Sequence, residues 1–310
     1  MWHRFTVWAL LLAGIVCLTQ VPTRAYWQTR DSAYNNPPSS GAGGSCSQST
    51  AYFAAATTLT GGEKTALDTL ICGRVTSGVF AKLDVWNFLA LTNKADALIN
   101  MAQPGTFNTT EISTPTFTAN RGYTGVDAST TIALDTNFNP STAGGHYTQN
   151  SAHLAFWSNT SNSPAPSNEV DMGLIDVATP VASYISAGLS AASAGNSSYT
   201  ANANAFASGA TPSGNSLGHF LANRTNLTAD LGYWNAADQM IMGKGSAAPT
   251  NGNFYVLAYN VPGTGVGGGS ARQIMTFSIG GGLSGADITD LCHATNVALT
   301  ALGGVSGGIC

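Results

Sequence analysis

From Thr114 to Trp157 the chain reads TPTFTANRGYTGVDASTTIALDTNFNPSTAGGHYTQNSAHLAFW, a string of short apolar runs cut by Gly, Asn and Asp turns. Phe117, Tyr123, Ile132, Leu134, Leu154 and Phe156 are its apolar anchors. Runs of this length between turn residues read as strands that keep reversing direction. The pattern continues downstream. Ala152, Leu154 and Phe156 alternate with their neighbours, as do Val170, Met172 and Leu174, and further runs lie at 217–221, 227–233, 240–242, 254–259 and 272–279. Turn clusters at 137–145, 158–168 and 262–270 separate them. Many short strands without intervening helices predict a mainly β fold, an antiparallel two-sheet sandwich. The stretch 180–216, rich in Ala, Ser, Gly and Asn, reads as loops and edge strands.

Helical periodicity brackets this region. Thr60-Gly-Gly-Glu63 has the form of a capping box, and Ala66, Leu67, Leu70, Ile71 and Val75 follow at helical spacing. Ser77 is placed to cap a second helix carrying Val79, Leu83, Trp86 and Ala90 on one face, and Asn93 a short third one with Leu98 and Ile99. Residues 46–102 therefore read as a helical region packed on the sandwich. Ser284 to Asp287 is another capping pattern, with Leu283 and Ile288 placed as a staple across it. Ile288, Leu291, Cys292, Ala298, Leu299 and Leu302 line one face, and Gly303-Gly304 supplies the stop. Residues 103–310 are thus a sandwich closed by a C-terminal helix.

Composition sets the compartment and excludes partners. Only 8% of residues are charged, and lysine occurs at Lys64, Lys82, Lys94 and Lys244 alone. The formal charge is −4 and no basic patch appears, so nucleic acid is not an expected partner. His3 and Arg4 precede an apolar run, Phe5 to Leu18, and Thr23-Arg24-Ala25 ends in a small residue. Residues 1–25 read as a secretory signal peptide, with an uncleaved anchor as the alternative. Residues 26–45, rich in Asn, Pro, Ser and Gly, read as a flexible leader, and no stable membrane insertion is expected after cleavage. Four cysteines then remain, Cys46, Cys72, Cys292 and Cys310, an even number that suggests disulfides in an exported chain. Cys46–Cys72 and Cys292–Cys310 are the pairs shortest in sequence. The other reading ties Cys46 or Cys72 to the C-terminal segment. The spacing does not match paired Cys-x-x-Cys zinc ligands.

Several stretches, in order, resemble one family: AKLDVWNFLAL (81–91), PGTFNTTEISTPTFTANRGYTG (104–125), ALDTNFNPSTAGGHYTQNSAHLAFW (133–157), SLGHFLANRT (216–225), NGNFYVLAYN (251–260) and SARQIMTFSIGGGLSGADITDL (270–291). Together they are similar to a module of bacteriophage and prophage structural proteins. That module is regarded as a concanavalin A-like, or laminin-G-like, jelly roll. The resemblance covers about residues 60–303. It implies a double-sheet jelly roll with flanking helices, and it implies no ligand. The export segment and the four flanking cysteines depart from the pattern and favour a free secreted protein.

Three sites are candidates. Asn168-Glu169-Val170-Asp171-Met172-Gly173 resembles the Glu-x-Asp strand motif of jelly-roll glucanases, with Glu169 and Asp171 sharing a face by period-two alternation. Gly173 stands where the second glutamate of that motif belongs, so a retaining pair is incomplete. Asp127, Asp135, Asn137 and Asn139 supply hard oxygens in turn-rich positions, the donor type that calcium takes. Turn Asp and Asn side chains mostly bond their own backbone, and no cofactor is otherwise expected. Tyr147, Trp157, Tyr233 and Trp234 lie in or beside predicted loops and suit stacking on a sugar face, unless they pack inward. The leading expectation is a secreted, non-enzymatic module that binds a glycan or cell-surface polysaccharide. A phage-derived structural protein that self-assembles through the sandwich is the second reading. A divergent polysaccharide hydrolase or lyase is the third.

Overall fold

In a computed structural model, residues 45–160, 169–187, 198–204, 216–241, 243–304 and 310 are described. The signal segment 1–25 and nearly all of the leader 26–45 lie outside them. Helices α1 (Ser47–Ala55) and α2 (Gly61–Ser77) come first, then strand β1 (Leu83–Phe88) and a one-turn helix α3 (Lys94–Ala97). Strands β2 (Thr110–Ile112), β3 (Thr116–Thr118), β4 (Gly122–Thr124), β5 (Ala133–Asp135) and β6 (Ala152–Ser158) follow. Next are β7 (Met172–Asp176), β8 (Val181–Ser186), β9 (Ser198–Ala203), β10 (Gly218–Arg224), β11 (Asp230–Trp234) and β12 (Ala237–Ile241). The chain closes with β13 (Tyr255–Val256), β14 (Tyr259–Val261), β15 (Gly265–Gly267), β16 (Gln273–Gly280) and helix α4 (Gly285–Ala301).

The strands form two sheets. Sheet A runs β12-β11-β10-β6-β16-β4-β3, with β1 also on β16. Sheet B runs β15-β14-β7-β13-β5-β2, with β8 on β7 and β9 on β8. Among the described residues every strand pairing is antiparallel except β14 with β7. The protein is therefore mainly β, two mostly antiparallel sheets with a C-terminal helix. The core between the sheets holds Phe156, Phe220, Phe277 and Ile279 from sheet A and Leu134, Met172, Leu174, Ile185 and Val256 from sheet B. A second core lies on the other face of sheet A. There Trp157, Leu221, Tyr233 and Met275 meet Tyr52, Leu67, Leu70 and Ile71 of the N-terminal helices and Ile288, Leu291 and Leu299 of α4. The order is helices, sheet A, sheet B.

Sheet A is thus covered on both faces, and this corrects one expectation. The helix predicted from Ser77 through Ala90 does not form. Phe80–Lys82 is a 3₁₀ turn, and Leu83–Phe88 is a strand paired with β16 along Leu83↔Gly280 to Phe88↔Thr276. All six of its residues are buried, Val85 toward sheet B and Trp86 and Phe88 toward the helices. An apolar run buried on both sides carries no period that separates strand from helix. Its polar members are spent inside. Asp84 accepts the amides of His146 (2.7 Å) and Tyr147 (2.8 Å), and Asn87 donates to the Ala97 carbonyl.

Both capping boxes are formed. The Glu63 amide donates to Thr60 Oγ1 (3.2 Å), and Glu63 Oε2 accepts the Thr60 amide (2.7 Å). Glu63 also accepts the Thr92 amide at 2.7 Å, so the same carboxylate ties α2 to the strand-exit loop. Burial works to raise its pKa, but the Thr92 and Thr60 donors outweigh it and hold the carboxyl below its ordinary value. Thr60→Ala is expected to cost about 1 kcal/mol of unfolding free energy. Glu63→Ala removes the cap and strands the Thr92 amide, for about 2 kcal/mol. Urea titration of both variants checks the order. At the other end, Ser284 and Asp287 cap α4 reciprocally, Lys82 pairs with Asp287 at 2.6 Å, and Gly303 ends the helix with φ 71°. Disulfides join Cys46 to Cys72 and Cys292 to Cys310. Among the described residues no helix is long and apolar enough to cross a membrane.

Candidate functional site

The four aromatic rings expected at the surface are core residues or close to it. Trp157 (0% exposed) and Tyr233 lie under the helical layer, and Tyr147 (2%) lies between the sheets. Trp234 is half-buried and donates from Nε1 to the Leu217 carbonyl at 3.0 Å. For Trp157 and Tyr233 the reason is the covering of sheet A by helices, where a ring placed outward meets a helix and not water; Tyr147 and Trp234 pack on the core between the sheets. The four do not form a stacking platform.

The glucanase-like acids are also interior. Asp171 is 0% and Glu169 1% exposed, and both turn toward Arg272. Arg272 Nη1 donates to Asp171 Oδ1 at 3.0 Å and Oδ2 at 3.1 Å, and lies 3.6 Å from Glu169 Oε2. Ser270 Oγ and the Ala187 amide complete the shell of Asp171 at 2.5 and 2.7 Å. Regular alternation starts only at Met172, where β7 begins, and Val170 rather than Asp171 joins the outward cluster of sheet B. Burial, followed by the facing Asp127 carboxyl, pushes the Glu169 pKa up to about 8. Glu169 and Asp171 are thus held in a buried ion cluster, away from any exposed strand face.

The calcium candidates are not brought together by a shared ligand set. Asp127 accepts the Ala271 amide beside the Arg272 cluster. In the other loop Asp135 accepts the Asn137 amide, and Asn139 accepts the Ser141 amide. These are side chains bonding the backbone two residues on, the ordinary use of Asp and Asn in turns. Among the described residues no group of three or more His, Cys, Asp or Glu is arranged to hold a metal ion.

The outer face of sheet B is partly accessible at β5, β13 and β14, while Val170, Ile175, Ala182 and Tyr184 form a buried cluster on it. Register places Asp135, Tyr255, Gly173 and Tyr184 in one row across β5, β13, β7 and β8. Their partners on the other parity, Leu134, Val256, Met172 and Ile185, fill the inter-sheet core, so this row faces outward. Tyr259 of β14 is opposite Gly173 and Gly267. Asp135, Tyr255 and Tyr259 are each half-exposed, and Tyr184 is 8% exposed. Gly173 allows the close approach. A Cβ there would sit 2.8 Å from Tyr184 Cβ and 3.1 Å from Tyr259 Cβ. A Cβ on Gly267 would sit 2.7 Å from the Tyr259 ring, which therefore lies against that glycine.

Polar groups rim the row. Asn253 Nδ2 donates to Asp135 Oδ2 at 3.2 Å, and Asn260 Nδ2 to the Asn253 carbonyl at 2.8 Å. Burial raises the Asp135 pKa despite the Asn137 and Asn253 donors, and it raises that of Tyr255 with help from the Asp135 charge. The chemistry available is aromatic stacking beside a carboxylate and side-chain amides. Tyr255 and Tyr259 were not among the sequence candidates. The signal for them was the run Asn-Phe-Tyr-Val, in which Phe254 and Val256 point in and Tyr255 points out.

No family model matches the sequence, and no curated protein sequence does. Among solved structures, the chain is similar to domain 4 of AbnA, a GH43 extracellular arabinanase from Geobacillus stearothermophilus, in complex with arabinotriose. The TM-score is 0.42 at 14% identity, over 68% of this chain and 98% of that domain. Trypanosoma rangeli sialidase in complex with sialic acid gives 0.40 at 10% identity, over 76% of this chain and 39% of the sialidase. A mutant of that sialidase displaying trans-sialidase activity gives 0.43 at 9% identity. The chain spans about two fifths of the sialidase length. Superpositions at these TM-scores transfer neither a fold nor a ligand.

Proposed function

We propose that the protein is a secreted, non-enzymatic carbohydrate-binding module of the concanavalin A-like jelly-roll type. It takes a glycan on the outer face of sheet B. The observation that carries this reading is that Tyr255 and Tyr259, both half-buried, flank Gly173 on the outer face of sheet B beside the Asp135 carboxyl. Sugar rings present C–H faces that stack on aromatic rings, and hydroxyls that bond carboxylates and amides. Gly173 lets Tyr184 and Tyr259 close over the strand, so the surface offered to a sugar is that of Tyr255 and Tyr259 beside Asp135. Two stacked sheets with a helical cover on one of them support the jelly-roll reading, and two disulfides suit an oxidising compartment. No bond-cleaving step is assigned, because Glu169 and Asp171 are engaged with one buried guanidinium.

The test is retention of the purified protein on immobilised polysaccharides. Tyr255→Ala is expected to weaken retention about tenfold or more, the worth of one stacked ring. Retention is compared at matched folded fraction, because the ring is largely covered and its loss also lowers stability. Retention on no polysaccharide, or equal retention of parent and variant, counts against the proposal.

A further inference from the structure

We infer that the ligand of this face is an uncharged glycan chain, recognised by stacking and hydroxyl hydrogen bonds. The inference rests on the carbohydrate reading above. A carboxylate-bearing sugar needs a guanidinium, an ammonium or converging amide donors to replace its water. The face offers the reverse. Its acidic group is Asp135, and the carboxylate of a uronate or sialate placed against Tyr255 would meet it.

Most cations of the described chain are held by other partners, and none is placed in the row of Asp135, Tyr255 and Tyr259. Arg224 and Arg272 are buried with Asp230 and Asp171. Arg74 and Lys82 pair with Asp290 and Asp287 of α4, Lys94 pairs with Glu111, and Arg121 donates to the Gly304 carbonyl. Lys64 lies on α2, and Lys244 lies beside Arg224, whose guanidinium its carbonyl accepts from. In sequence, segments 161–168, 188–197, 205–215 and 305–309 contain no charged residue; Arg4, Arg24 and Arg30 fall in 1–44, outside the described residues. The net charge of −4 adds a weaker, long-range bias in the same direction.

The experiment retains the full protein on three matched matrices: a neutral polysaccharide panel, an acidic panel of uronate polymers, and an amino-sugar polymer, each at low and high salt. The expected result is retention on at least one neutral polysaccharide, about tenfold or more above every acidic one. That retention should be unchanged by salt, because no ion pair is screened, and lost in Tyr255→Ala. Preferred retention on an acidic polymer overturns the inference while leaving carbohydrate binding intact. So does retention confined to the amino-sugar polymer and abolished by salt, which would mark simple ion pairing with Asp135. Retention on none of the matrices overturns the underlying reading as well.

Discussion

Arg272→Met is expected to lower the unfolding free energy by about 3–5 kcal/mol, the cost of leaving the buried Asp171 carboxylate without its cation. Asp171 is 0% exposed, and both its oxygens lie within 3.1 Å of the guanidinium. The Ser270 hydroxyl and the Ala187 amide are dipoles and do not replace a charge. Glu169→Gln should behave oppositely. Burial and the Asp127 carboxyl already disfavour its charge, so the neutral amide costs little below pH 8 and stabilises above it. Chemical denaturation of the two single variants checks the contrast. Arg272→Met combined with Asp171→Leu should recover much of the loss, because the double change removes the stranded charge. Equal loss in the single and double variants would show that the cluster acts through packing alone.

The second large effect is a stability profile with a flat top and two falling sides. Glu169 has a folded pKa of about 8, above its ordinary 4.5, so the native state holds a proton the unfolded chain releases. Its contribution is present at low pH and lost as pH rises through 8. His153 and His219 work the other way. Burial, outweighing the Gly281 carbonyl bond, lowers His153 to about 4, and burial with the nearby His153 lowers His219 to about 3. Both stay neutral where the unfolded chain would charge near 6.5, so stability falls as pH drops below that value. Burial, partly offset by Arg224, raises Asp230 to about 6, and it adds to the Glu169 slope only below that point. Between about 4.5 and 6 the two histidines oppose the two acids. Above 6.5 Glu169 acts alone among these groups, with the slope of about one proton up to pH 8. Thermal melts across this range check it. Glu169→Gln should flatten the alkaline side, tilt the stretch between about 4.5 and 6 so that stability there falls with falling pH, and leave the profile below 4.5 unchanged. An alkaline fall that persists in that variant would place the proton elsewhere.

The features legible from sequence are those set by neighbours along the chain. Thr60 with Glu63 and Ser284 with Asp287 are three residues apart, and each closes its box within one turn. Strands such as β6 and β16 followed from short runs between turns. What failed was the assignment of partners across the third dimension. Leu83–Phe88 has helical spacing, yet it is buried between a helical layer and sheet B and runs as a strand. Trp157 alternates correctly with Phe156, but both sides of its strand are interior. The predicted run 254–259 breaks at Leu257, whose φ of 68° splits it into β13 and β14 and sets Tyr255 and Tyr259 on either side of the break. No local pattern announces such a break at a leucine, because left-handed backbone there is costly and is held only by the surrounding sheet.

The helical layer on sheet A leaves the sandwich with a closed back and an open front. Lys64 projects from that back. A bead or sensor surface coupled through it would leave the tyrosines pointing away from the support. Coupling through a residue next to Tyr255 would silence the same molecule. On the proposed reading, two copies joined back to back would present their sheet B faces in opposite directions, and a single copy presents one.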